Sequence, residues 1–186
     1  GVESRMENSR QTTLSLKQWK QKVSALSDEA LLLETKSHAT AEREQIAWFV
    51  AHLTEVFRRD LALKRGYQSI YKYAREELGL SEGPAWERIA AARLALQLPE
   101  TVERLASGDL TLASAGELWK TIRELEKPTQ TLMPLKQKPL QHELVPPVPS
   151  QTPSVKLAST EKCELFSQVL GKSRKESAAA LQTWKQ

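Results

Sequence analysis

Five basic side chains fall within residues 58–72, and they are the residues whose type and spacing most directly suggest chemistry. They are Arg58, Arg59, Lys64, Arg65 and Lys72. Arginine and lysine pair with phosphate groups, so this set, which we call the cationic segment, predicts contact with the backbone of DNA. The alternative interpretation is that these cations form ion pairs on the surface of the protein.

A second set of candidate DNA contacts lies on a helix predicted between residues 81 and 98. Arginine can bond to guanine or to phosphate, and a tryptophan can pack on sugars. The helix carries two arginines and two glutamates, so it is less basic than most helices that read a groove. The alternative is that the tryptophan is part of the core and the arginines form surface pairs. The outward face is expected to carry Trp86, Ala90, Arg93 and Gln97, with Arg88 beside it.

The residue types that carry catalysis or bind metals are scattered. The three histidines, His38, His52 and His142, lie far apart, and Cys163 is the single cysteine. The carboxylates are dispersed among lysines and arginines, as on solvated helix faces. The sequence therefore predicts no catalytic residue, no metal site and no cofactor.

A helix, a tight turn and a second helix are predicted over residues 67–98. Ser69 is suited to cap the first helix, and Gly79 can end it in the left-handed conformation. Ser81 is a good cap for the second helix, and Pro84 is tolerated in its first turn. This pattern is typical of a helix-turn-helix, although the same hairpin also serves as the core of helical bundles. The second helix has one apolar stripe, formed by Ala85, Ile89, Ala92 and Leu96.

The compact part of the chain is predicted to be all-α, because no window alternates as a strand would. A helical domain is expected over residues 14–126, with a short helix at 14–26 and a long one over 29–64. Further helices are predicted at 100–106 and 110–126. The long helix is expected to pack through Ile46, Phe49, Val50, Leu53, Phe57 and Leu61.

The two ends of the chain are predicted to differ from this domain. Residues 1–13 are expected to be a disordered or tag-derived tail. Seven of the nine prolines fall between Pro128 and Pro153, which predicts an extended Pro-rich linker over 127–156. Residues 157–186 are expected to form a small helical hairpin, in which Ser173 and Glu176 make a capping box.

The overall composition is that of a soluble globular protein, with 40% hydrophobic residues and a net charge of +4. This charge permits nucleic-acid binding without requiring it. The lone cysteine excludes an intramolecular disulfide and a multi-cysteine zinc site. No apolar run approaches the roughly 18–20 residues that span a bilayer, and the N-terminus has no signal-peptide core. We therefore expect no membrane association and a cytoplasmic location.

Five short motifs occur in order along the chain. They are Gly66-Tyr67-x-Ser69-Ile70-Tyr71, the stretch from Gly79 to Gly83, Arg88-Ile89-x-Ala91-x-Arg93-Leu94, Gly108-x-Leu110-x-Leu112, and Gly171-Lys172-Ser173-x-Lys175-Glu176. Together they resemble the N-terminal helical region that precedes the nuclease module in a family of bacterial HNH endonuclease proteins. The resemblance covers roughly residues 27–125 and 158–181, and it implies a non-catalytic DNA-binding region with DNA as the partner.

The family carries its chemistry in a C-terminal ββα-metal module, which needs a histidine base and a histidine or asparagine metal ligand. This chain reaches Gln186 about where that module should begin, and its histidines show no such pairing. The resemblance therefore implies no nuclease activity for these residues, with an HNH endonuclease as the candidate parent protein.

A helical module for protein contacts or self-association is the alternative function. Its partner would be another protein or a second copy of the chain. The near-neutral second helix favours this interpretation, as do four candidate exposed aromatic residues, Trp19, Trp86, Trp119 and Trp184.

Overall fold

The computed structural model describes residues 18–126 and 156–185, and every regular element in these ranges is helical. The predicted all-α fold is confirmed for this part of the chain. The predicted tail at 1–13 and the Pro-rich linker, except for Lys156, lie outside the described residues. The helices are α1 (Trp19–Ser24), α2 (Asp28–Arg58), α3 (Leu61–Lys64), α4 (Ile70–Glu76), α5 (Glu82–Gln97), α6 (Thr101–Ser107), α7 (Leu112–Leu125), α8 (Ser159–Ser167) and α9 (Arg174–Gln182), and a 3₁₀ turn follows at Thr183–Lys185.

The chain divides into two compact units, residues 1–43 and 44–186. In the first unit, none of the described residues 18–43 is buried. Its part of α2 exposes Leu31, Leu32 and Leu33 by 38%, 71% and 70%. All buried residues of the described chain belong to the second unit, which therefore holds the hydrophobic core.

Helix α2 ends at Arg58 and does not continue to Lys64 as predicted. Asp60 has a φ of 54°, in the left-handed region, and a right-handed helix cannot run through that conformation. The short α3 then begins at Leu61, which is exposed although it was predicted in the apolar stripe. The other members of that stripe are buried or half-buried, as predicted.

The predicted helix–turn–helix segment forms two helices, α4 and α5. The Ser69 hydroxyl accepts a hydrogen bond from the Lys72 amide at 3.1 Å and so caps α4. Gly79 has a φ of 65°, the left-handed conformation expected at the turn. In α5 the predicted stripe is wrong at Leu96, which is 38% exposed, whereas Leu94 is fully buried.

Helix α7 lies at the centre of the second unit, where it contacts α5, α8 and α9. Its Leu118 and Ile122 are fully buried. Gly116 of α7 lies directly against α5, since a Cβ placed there would be 2.6 Å from Cζ3 of Trp86. The absence of a side chain at this position therefore lets α5 and α7 approach closely.

The two C-terminal helices were predicted as a hairpin, and the structure shows where they dock. The predicted capping box is present, because Ser173 and Glu176 exchange hydrogen bonds. Ser114 of α7 donates to the Lys172 carbonyl at 2.8 Å. The side chains that bring α8 and α9 into the core of α5 and α7 are Leu165, Phe166, Val169 and Leu181.

Candidate nucleic-acid interface

The cationic segment runs from the end of α2 through α3 to α4, and all five of its side chains are exposed. Four of the five pair with glutamates. Exposed ion pairs of this kind contribute little to stability, so a phosphate can replace the glutamate at small cost. The pairs are Arg58 and Arg59 with Glu55, Arg65 with Glu77 at 3.5 Å, and Lys72 with Glu76 at 3.4 Å.

Glu55 is shared by two guanidinium groups at the end of α2. Arg58 donates to it through Nε at 2.7 Å and Nη2 at 2.6 Å, and Arg59 donates to the same carboxylate. These hydrogen bonds lower the pKa of the Glu55 carboxyl to about 2. One carboxylate thus serves two arginines, and the group keeps a net positive charge.

A polar pocket of about 280 Å³ lies at the turn between α3 and α4, and we call it the turn pocket. Its two cations are Arg65 and Lys72, and Glu76 is its one carboxylate. Gly66, with a φ of 89°, lets the backbone make this turn. Tyr67 donates its hydroxyl hydrogen to Glu77 at 2.6 Å, which raises the pKa of Tyr67. The pocket is a concave surface with excess positive charge. Its lining is Arg65, Gly66, Tyr67, Gln68, Lys72 and Glu76.

A second pocket of about 240 Å³, the apolar pocket, shares Gln68 with the turn pocket. Arg93 also lines it, although the sequence analysis placed this residue on an outward face. The Arg93 guanidinium carbon lies 5.0 Å from the centre of the Phe57 ring. Burial lowers the pKa of Arg93, and the nearby charge of Arg123 acts in the same direction. The apolar walls are Val56, Phe57, Ala62, Leu63 and Ile70, and Asp60 and Ser69 are further polar members.

Helix α5 presents only part of the predicted outward face, because Trp86 and Gln97 are exposed whereas Arg93 is half-buried. Ala90, which was placed on that face, is only 2% exposed. Trp86 is 41% exposed, and its ring packs on Gly116 of α7. Arg88 lies over the Phe49 ring at 5.8 Å. The seven buried residues of α5 include five alanines, whose small side chains let neighbouring helices approach α5. The predicted stripe included Ala85 and Ala92 but not Ala90, Ala91 or Ala95, because alanine carries little hydrophobic signal.

The exposed aromatic residues differ in part from those predicted. Trp19 is 60% exposed, but Trp119 and Trp184 are half-buried. Trp48 was not singled out and is 63% exposed, with its ring 6.0 Å from that of His52. The exposure of Trp48 could have been predicted from its position in the sequence. It lies one residue after Ala47 and two before Val50, which places it away from the buried face of α2.

Comparison with known proteins identifies no relative. No family model, no curated protein and no solved structure matches this chain.

In residues 18–126 and 156–185, no three His, Cys, Asp or Glu side chains are grouped so that they could hold a metal ion. Within the same ranges, no helix has the length and apolar character needed to cross a bilayer.

Proposed function

We propose that this chain is a DNA-binding region that holds the phosphate backbone through the cationic segment and has no catalytic role of its own. The observation that carries the proposal is the turn pocket, where Arg65 and Lys72 line one concave polar surface. Residues 55–77 contain six basic and four acidic side chains, so the surrounding charge also favours an anion.

The sequence motifs support the same class of ligand. The helix-turn-helix interpretation of residues 67–98 and the resemblance to the N-terminal region of HNH endonucleases both point to DNA. In our proposal, however, α5 is not a helix that reads base edges. Ala90 is buried, and the Trp86 ring lies against Gly116 although it is 41% exposed, so we expect phosphate contacts to be the main source of affinity.

The proposal predicts weak binding that depends strongly on salt and little on sequence. With about four phosphates neutralised, the plot of log K against log salt should have a slope of about −3.6. The combined change Arg58→Ala and Arg59→Ala should reduce the slope to about −1.8 and weaken binding to two unrelated duplexes equally. Fluorescence anisotropy titrations at several salt concentrations measure both quantities.

Two matched variants serve as controls for this titration. Lys120→Ala removes an exposed charge outside the segment and should leave the slope unchanged. Glu55→Gln removes the carboxylate that pairs with Arg58 and Arg59, so it should raise the affinity. Absence of binding to either duplex at about 50 mM salt and micromolar protein would contradict the proposal. If Arg93→Ala weakens binding to one duplex and not to the other, then α5 contacts base edges.

Self-association through the first part of α2 is the second candidate function. Leu32 and Leu33 are about seven-tenths exposed on a helical stretch without a buried residue. A partner that covers these leucines would remove their apolar surface from water and so stabilise this stretch.

This candidate predicts a concentration-dependent dimer in sedimentation experiments. The double change Leu32→Ser and Leu33→Ser should convert the dimer to a monomer, because it removes the two most exposed leucines of the described chain. Glu29→Gln and Lys36→Gln, which alter only exposed polar residues of the same helix, should leave the dimer intact. A wild-type chain that sediments as a monomer at all concentrations would refute this function.

A further inference from the structure

The turn pocket and the apolar pocket are adjacent, since Gln68 lines both of them. The turn pocket is polar and is lined by two cations. The apolar pocket is lined by five apolar residues, together with polar residues that include Asp60 and Arg93. A nucleotide likewise has a charged part and a more apolar part, because its phosphate is joined to a base that is a largely flat ring system. We propose, on the basis of the proposed DNA-binding function, that the two pockets together bind one unpaired nucleotide.

The size of the apolar pocket suits a single base. Its volume of about 240 Å³ is below the roughly 300–1,000 Å³ of pockets that enclose drug-sized ligands. A base has apolar faces and a polar edge, and this pocket offers matching groups. Val56, Leu63 and Ile70 provide apolar contact, while the carboxylate of Asp60 and the amide of Gln68 can bond to the edge.

Arg93 and Phe57 give this pocket a stacking surface. The guanidinium of Arg93 lies over the Phe57 ring, and bases stack on both aromatic and guanidinium planes. The Nε of Arg93 is buried without a hydrogen-bond partner among the described residues. A buried donor without a partner is costly, so an acceptor atom of the nucleotide that lies in the guanidinium plane, beside the stacked base, would satisfy it.

The turn pocket receives the phosphate that is attached to this base. Arg65 and Lys72 are its donors, and both are held by exposed, weak ion pairs. Glu76 also lines the pocket and is paired with Lys72, so its side chain must turn away when the phosphate binds. This competition keeps the affinity for phosphate alone low, and the base supplies the remaining affinity.

A base in a duplex must leave its stack before it can enter the apolar pocket. That step costs a few kcal/mol, whereas a single strand has already exposed its bases. The protein should therefore bind a single strand more tightly than a duplex of the same sequence. Stacking of one base corresponds to about 5- to 150-fold in affinity.

The test compares three ligands of equal length by fluorescence anisotropy: a single strand, its duplex, and a strand with abasic sites. We expect the single strand to bind more tightly than the duplex, and the abasic strand to lose about 5- to 150-fold relative to the intact strand. This comparison uses the unmodified chain, so it does not depend on the folding of a variant.

A matched pair of variants then locates the base. Leu63 is 56% exposed, so Leu63→Trp fills the apolar pocket without disturbing the core, and it should remove the preference for the single strand. Leu96→Trp makes the same change at an exposed position outside both pockets, and it should preserve the preference for the single strand.

The outcomes separate this inference from the proposed function. If single strand, duplex and abasic strand bind alike, the nucleotide site is refuted and the phosphate-binding function stands. If Leu63→Trp keeps the full preference, the base does not lie in the apolar pocket and the inference fails. If no ligand binds at about 50 mM salt, both proposals fail together.

Discussion

Phe166→Ala is expected to lower the free energy of unfolding of the whole second unit by about 3–5 kcal/mol. Phe166 is 2% exposed, and it belongs to the same core as the buried residues of α5 and α7. Its loss leaves a cavity in this core, which the surrounding helices fill only in part. Urea unfolding followed by circular dichroism at helical wavelengths measures the change.

The form of the transition is as informative as its midpoint. Because α8 docks on α7, we expect one cooperative transition at lower urea concentration. Cys163→Ser changes an exposed residue of the same helix and should stay within about 0.5 kcal/mol of the wild type. The opposite result would be a separate transition at lower urea concentration, whose circular dichroism amplitude matches the helices of the hairpin, with the midpoint of the main transition unchanged. It would mean that the hairpin folds independently of the core.

Gly116→Val is expected to destabilise the chain by about 1–3 kcal/mol. In most helix interiors the same change is close to neutral, because valine has the better helix propensity of the two. Here the new side chain would enter space held by the ring of Trp86, since even a Cβ would lie 2.6 Å from Cζ3. The two helices must then separate or the tryptophan must leave its position.

A double-mutant cycle identifies Trp86 as the cause. In the Trp86→Ala background, Gly116→Val should cost little, which gives a coupling energy of about 1–3 kcal/mol between the two sites. Gly83→Val gives a useful contrast, because no atom lies within 4 Å of a Cβ at that position. Equal costs of Gly116→Val in both backgrounds would show that the ring of Trp86 does not pack on α7.

This packing bears directly on how the protein contacts DNA. A helix that enters the major groove needs a face free of protein contacts. In α5, Ala90 is buried, Trp86 lies on Gly116 and Arg88 lies on Phe49. The turn between α3 and α4 is more accessible, and the two pockets lie beside it. For this reason our proposals place DNA at the turn and not along α5.

Most local features of the fold could be predicted from the sequence, although Ser81, which was expected to cap α5, makes no side-chain cap hydrogen bond. The cap at Ser69, the left-handed Gly79 and the capping box of Ser173 with Glu176 are each set within a few residues, and each is present. The break at Asp60 could not be predicted in the same way. Aspartate tolerates the left-handed conformation, but nothing nearby in the sequence requires it there.

Some features of the candidate site could likewise be predicted from the sequence, and others depend on tertiary contacts. By itself the sequence determined that five cations would cluster around the entry to the helix–turn–helix segment, and the structure shows all five exposed, as long charged side chains usually are. It could not determine that Arg65 pairs with Glu77 beyond α4, or that Arg93 lines a pocket with Phe57. The tertiary structure decided these features, together with the burial of α5 and the docking of α8 and α9 on α7. The physical reason is that each of them depends on which helix faces lie against one another, and packing across distant parts of the chain sets those contacts.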